Sequence, residues 1–121
     1  LRWTDLSEAN MVRVDLSRCN LVKANLSRAI LYDANLQEVD LKNTRLFYGS
    51  SETASPRSRI HPPDYKTGAY TGVVIENCNL SGAKNLTKEQ HYYLCAWGGE
   101  HTRETIPGGC HNIPNKLNKY K

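Results

Sequence analysis

Phenylalanine and methionine each occur once in this chain of 121 residues, and tryptophan twice. Tyrosine occurs seven times, and large apolar residues are few apart from leucine, an odd inventory for a core. No stretch approaches the roughly 20 consecutive apolar residues that a spanning helix needs. No signal-peptide pattern opens the chain, which starts at Leu1 rather than Met, so a processed end or a fragment is expected. No Gly-rich phosphate loop and no H-E-x-x-H motif occurs. Dense Lys/Arg clustering is missing too: residues 1–48 carry seven basic and six acidic groups, and residues 49–121 nine and six. The formal net charge of +4 is therefore read as a solvated surface rather than a nucleic-acid footprint. With 39% hydrophobic and 23% charged residues, the chain is neither a disordered tail nor a membrane span, and its length suits one domain.

What is present is a repeat. Leucines stand at 1, 6, 16, 21, 26, 31, 36, 41 and 46, with Met11 filling the one gap. Two places before each centre sits a small residue, such as Ala9, Cys19, Ala24, Ala29, Ala34 or Val39. Between the two stands a mostly polar residue, usually Asn or Asp, with Ile30 and Arg45 as exceptions. On an α-helix a period of five would wind the leucines around all sides. On a flat strand it would throw alternate leucines to opposite faces. A short extended piece followed by a corner satisfies it, because the small residue and the leucine then share a face. Asn and Asp suit corners, since they tolerate turn conformations and bond nearby backbone. The expectation is a solenoid with leucine and alanine stacked inside. Leu26 points in, and Ser27, one place on, points out.

The run A-N-M-V-R, V-D-L-S-R, C-N-L-V-K, A-N-L-S-R, A-I-L-Y-D, A-N-L-Q-E, V-D-L-K-N resembles the pentapeptide-repeat proteins, whose pattern is A-(D/N)-L-x-x. The resemblance covers residues 1–48 and returns at about 73–85. It implies an all-β fold, a right-handed quadrilateral β-helix with four pentapeptides per coil. Residues 20 apart should then stack about 4.8 Å apart. Outward positions pair Glu8 with Arg28, Arg13 with Asp33 and Arg18 with Glu38, all opposite in sign, and Lys23 with Asn43.

The pattern divides the chain into repeat coils at 1–48, a loop insertion at 49–72, final repeats at 73–86, and a capping helix with tail at 87–121. From Phe47 to Gly72, three prolines and three glycines exclude ladder pairing for most of the stretch. The repeat resumes at Ile75 and Leu80 on a frame shifted by one residue, with Val73, Cys78 and Ala83 in the small-residue places. Two readings of the insertion stand side by side: a partly mobile surface loop, or an excursion that carries Arg57, Arg59, His61, Tyr65, Lys66 and Tyr70 to a partner.

Residues 87–97 form the only convincing helix, opened by the capping box of Thr87 and Gln90 and stopped by Gly98-Gly99. A terminal coil needs a cap, and Leu94, Trp97 and one of Tyr92/Tyr93 are the expected plugs. Cys19 and Cys78 fall in interior places and are read as buried thiols. Cys95 and Cys110 leave alternatives open: a disulfide, free thiols, or a zinc site with His91, His101 and His111. The C-x14-C spacing lacks the short pairs of structural zinc motifs. The tail N-L-T-K-E-Q-H-Y-Y-L-C…H-T-R-E-T-I…C resembles that of pentapeptide proteins from cyanobacteria and the thylakoid lumen. That resemblance implies a Cys95–Cys110 disulfide and an oxidising compartment. The A-W-G-G and P-G-G insertions depart from it.

The functional expectation is a non-catalytic scaffold with no cofactor, no metal and no small-molecule substrate. Its partner is a protein or a membrane-protein complex, without nucleic acid and without direct membrane insertion. Val12, Val22, Ile30, Tyr32, Phe47 and Tyr48 are expected to point outward, with Val12 and Tyr32 stacked as an apolar strip. The expected location is the thylakoid lumen or the periplasm, with the cytoplasm as alternative. A redox- or metal-responsive module on the C-terminal Cys/His group is a second reading. A gyrase-binding DNA mimic is a third, and the positive net charge counts against it.

Overall fold

The computed structural model describes residues 1–117. Its basic unit is a five-residue turn. Each leucine carbonyl accepts the backbone N–H three residues on, as from Ala24 to Leu21 at 2.9 Å and from Ala34 to Leu31 at 3.0 Å. The third residue of each turn from Trp3 to Asn43 is left-handed, with φ between 56° and 63°. That conformation costs a non-glycine residue about 1 kcal/mol or more. An Asn or Asp side chain steadies the corner: Oδ1 accepts the N–H two residues on, at 3.0 Å from Asp5 to Ser7 and 3.0 Å from Asn35 to Gln37. The expectation for Asn and Asp is thus half met. They bond nearby backbone, but the positive φ falls on the residue three places later, which is charged from Glu8 to Glu38.

The backbone returns over itself every 20 residues. Parallel bridges join Asp5 to Asn25, Asn10 to Ile30, Asp15 to Asn35, Asn20 to Asp40 and Asn25 to Arg45. The next bridges join Ile30 to Val74, Asn35 to Asn79 and Asp40 to Lys84, a separation of 44. Since 44 exceeds 20 by 24, an insertion of 24 residues interrupts the third circuit, which also accounts for the shift in frame. Among the described residues this pairing forms isolated bridges and no strand. Each unit spends its turn residues on the corner and leaves one residue to bridge. The regular elements are instead two helices, α1 (Lys88–Trp97) and α2 (Gly99–Thr105). The all-β expectation is corrected to that extent, and α2 was not expected. It is seven residues, all but the first polar, threonine or charged, with no apolar period to announce it.

Leu21, Leu26, Leu31, Leu36 and Leu41 are buried, with Ala24, Ala29, Ala34 and Val39 beside them. Burying each leucine contributes about 1.5–3 kcal/mol. The first circuit is less covered: Leu1 is 53% exposed, and Leu6, Met11 and Cys19 only partly buried. The expectation of a buried Cys19 is therefore corrected, while Cys78 is buried and its thiol donates to the Leu31 carbonyl at 2.9 Å. Ser27 is a second correction. It is 4% exposed, and its N–H and hydroxyl both donate to Asn25 Oδ1. Between circuits, Arg18 meets Glu38 at 3.3 Å and Arg28 meets Glu8 at 3.8 Å. Asp33 instead accepts the Asn77 side-chain amide from the following circuit, and Lys23 lies 4.2 Å from the Trp3 ring centre.

The helices close the last circuit by supplying partners for its orphan backbone groups. Gln90 completes the capping box with Thr87, and its amide donates to the carbonyls of Leu41 at 2.8 Å and Thr44 at 3.0 Å. The Tyr93 hydroxyl donates to Val73 at 2.7 Å. Thr102 Oγ1 accepts from the Cys78 N–H and donates to the Ile75 carbonyl, each at 2.9 Å. Thr105 Oγ1 accepts the Leu80 N–H at 2.9 Å. Leu94, Tyr93 and Trp97 are buried against the core, as the plugs were expected to be. Gly98, between the helices, is required by crowding: a Cβ there would run into Thr102 and the Leu94 carbonyl.

Candidate docking site

The insertion is anchored at both ends of its path. Pro56 bridges Gly72, and the Arg57 N–H donates to the Gly72 carbonyl at 3.0 Å. The Trp97 indole donates to the Ala54 carbonyl at 3.1 Å, tying the segment to α1. Two arginines lace it to the coil. Arg28 Nη1 donates to the Tyr70 carbonyl at 2.9 Å, and Arg57 Nη1 donates to the Arg28 carbonyl at 3.0 Å. Inside the segment, Asp64 accepts the N–H groups of Lys66 and Thr67, which hold its carboxyl below the usual range. Local side-chain bonds thus do for this proline-broken stretch what circuit pairing does for the repeats.

These bonds gather several of the expected contact residues. His61 stacks on Tyr70 with ring centres 4.7 Å apart. Tyr48 meets Tyr65 edge-on at 4.9 Å and carries the Arg45 guanidinium at 4.2 Å. Arg59 and Tyr65 are exposed. Phe47 is a correction, since it stacks on the buried Tyr93 at 5.0 Å and faces the core instead of solvent. Tyr48, Val22 and Ile30 are half-buried. Val12 and Tyr32 stand on the neighbouring corner of the coil, 45% and 40% exposed, with the Arg13 N–H bonded to the Tyr32 carbonyl at 2.8 Å. Sequence reasoning missed the side chain and the carbonyl of Arg28 as the seat of the insertion. Nothing in the repeat pattern distinguishes their corner from the others.

At the far end, the sulfurs of Cys95 and Cys110 stand at disulfide distance, 2.09 Å, with Cα atoms 5.6 Å apart. His91 Nε2 lies 3.9 Å from Cys95 Sγ, while His101 and His111 are exposed. Among the described residues no three His, Cys, Asp or Glu groups converge to hold a metal ion. Arg103 donates to the Cys95 carbonyl at 2.9 Å and so braces the bridge from α2. No helix among the described residues is long and apolar enough to cross a membrane.

Residues 9–46 match the family model of pentapeptide repeats, in eight copies. No curated protein matches the chain.

Proposed function

We propose that this chain, a member of the pentapeptide-repeat family, is a non-catalytic docking scaffold built as a right-handed quadrilateral β-helix, and that it serves a protein assembly as a peripheral subunit. The observation that carries the reading is the Val12–Tyr32 pair. Two apolar side chains are held in solvent by a backbone bonded to the next circuit through Arg13, on a corner adjacent to the anchored insertion. Rigid presentation lowers the ordering cost of association. The arrangement of Cys95 supports a role without catalysis, because the sulfur nearest a histidine is committed to Cys110. The same pair supports an oxidising compartment, the thylakoid lumen or the periplasm.

A photo-crosslinking residue in place of Tyr32, and another in place of exposed Gln37, test the reading in native membranes. A discrete adduct from position 32 and none from 37 is the expected outcome. Equal yields at both positions, or none at either, sink it.

A further inference from the structure

The turn at the tip of the insertion presents Arg57 and Arg59, while the ion pairs seen among the described residues lie elsewhere, at Arg18–Glu38 and Arg28–Glu8. Arg57, Ser58, Arg59, Ile60, His61 and Tyr70 line a cleft of about 460 Å³. Ser58 Oγ accepts the N–H groups of Ile60 and His61, each at 3.0 Å, and Pro62-Pro63 follow. These bonds and the stacking of His61 on Tyr70 fix the turn. Arg57 uses one donor on the Arg28 carbonyl, and Arg59 is exposed. The insertion contains two acids. Asp64 is occupied by the Lys66 and Thr67 N–H groups, and Glu52 lines a different cleft with Lys88 and Tyr92. Glu8 is paired with Arg28. Ile60, between the two arginines and His61, is 86% exposed, the most exposed large apolar residue described.

We propose that this turn receives an acidic segment of a protein partner, with carboxylates on Arg57 and Arg59 and an adjoining apolar side chain against Ile60. The inference rests on the docking reading above and names the chemistry of the partner. Guanidinium forks suit carboxylates bidentately. A bare phosphate fits less well, because the backbone N–H groups of Ile60 and His61 are already spent on Ser58 and cannot cradle it. The exposed isoleucine matches a peptide and has no use for an inorganic anion.

The test is fluorescence anisotropy on the full chain with a labelled peptide, acetyl-Glu-Leu-Glu-Glu-Leu-Glu-amide, and its lysine-for-glutamate counterpart. The acidic peptide should bind at low salt and the basic one should not. Binding should weaken with added salt, since exposed charges are screened. Arg59→Gln should cost about tenfold, the loss of a charge-assisted bond. Arg57→Gln should cost a similar factor, but it also cuts a tie to the coil, so Arg59→Gln with an unchanged melting curve is the decisive variant. Ile60→Ser should weaken binding by less. Absence of binding, equal binding by Arg59→Gln, or displacement by inorganic phosphate as effectively as by unlabelled peptide would overturn the proposal. Crosslinking from position 32 is independent of these arms, so its success beside a failed peptide assay would remove this inference alone.

Discussion

The repeat coil and the insertion leave Leu46 along the same chain and satisfy their backbones in opposite ways. In the coil each unit borrows donors and acceptors from residues 20 away, and side chains serve mainly to fill the interior. In the insertion, Ser58, Asp64 and Thr71 side chains bond backbone two or three residues distant, and two arginines attach the result to the coil. A stack of this kind tolerates 24 extra residues because the circuits on either side still find each other, at a separation of 44 instead of 20. Closing a longer loop costs little additional entropy. The coil therefore carries the stability, and the insertion is free to carry recognition.

The largest contrast should come from placing one charge in each region. Leu26→Lys buries an unpaired ammonium at a site 1% exposed, at a cost of several kcal/mol, and should leave no cooperative melting transition. Ile60→Lys, in the insertion, should melt like the parent chain. Ser27→Lys belongs with Leu26 and not with the surface, because Ser27 is buried and its hydroxyl is spent on Asn25. A Ser27→Lys chain of parental stability would mean that this corner is open to solvent.

The difference between the regions is also the difference in what was legible. A five-residue period is a local signal repeated nine times before the break at Leu46, so the interior leucines could be read directly, and the family resemblance it carries implied the 20-residue circuit and with it the pairs Glu8–Arg28 and Arg18–Glu38. The burial of Ser27, the inward turn of Phe47 and the partner of Asp33 were not legible. None has a local signal: Phe47 turns in to meet Tyr93 in α1, and Asp33 meets Asn77 because the interrupted third circuit returns at a separation of 44. Helix α2 was hidden for a related reason: Thr102 and Thr105 are chosen for the last circuit's backbone and leave no apolar rhythm. The half-exposed Cys19 shows that a correct frame does not give depth along the stack.

The cap gives the next largest effect. A bridge between Cys95 and Cys110 closes a loop of sequence separation 15, worth about 3 kcal/mol in the chain-entropy account. Intact mass should be two hydrogens below the reduced chain. Reduction should raise hydrogen exchange in α1 and α2 while the Leu21–Leu41 circuits stay protected. In the reduced native protein, iodoacetamide should reach Cys19 well before Cys78, whose thiol burial pushes up to about 12. Simultaneous loss of protection in cap and coil would show that the two do not behave as separate cooperative units.

Thr102→Val should cost about 2 kcal/mol, because it leaves the buried Cys78 N–H and Ile75 carbonyl without a partner. Glu100→Ala, exposed on the same helix, is the control and should be neutral. If both variants shift the denaturation midpoint alike, helix propensity decides the stability of this end and not the closure of the last circuit.

The smallest effect concerns a device that both regions share. Asp5 and Asp15 accept from the Ser7 and Ser17 hydroxyls and then from the same residues' N–H groups, and Asp64 accepts from the Lys66 and Thr67 N–H groups. Each bond favours the ionised carboxyl, so the folded pKa lies below that of the unfolded chain, about 3.9. Such a group stabilises fully above the unfolded value, and the contribution fades as pH falls through the folded one. Asn10 and Asn20 make the same bond to the N–H two residues on without a charge. Asp5→Asn with Asp15→Asn should therefore lower stability slightly at pH 7, by no more than the parent loses on acidification, and flatten the decline below pH 4, in the coil. Asp64→Asn should do the same for protection of the insertion alone, followed by hydrogen exchange at Gly68, whose N–H bonds the Asp64 carbonyl. Alanine at any of the three sites should weaken its turn at every pH. If asparagine proves as costly as alanine at neutral pH, the carboxylate's charge and not its acceptor oxygen holds the corner, and the Asn and Asp units of the repeat are not equivalent.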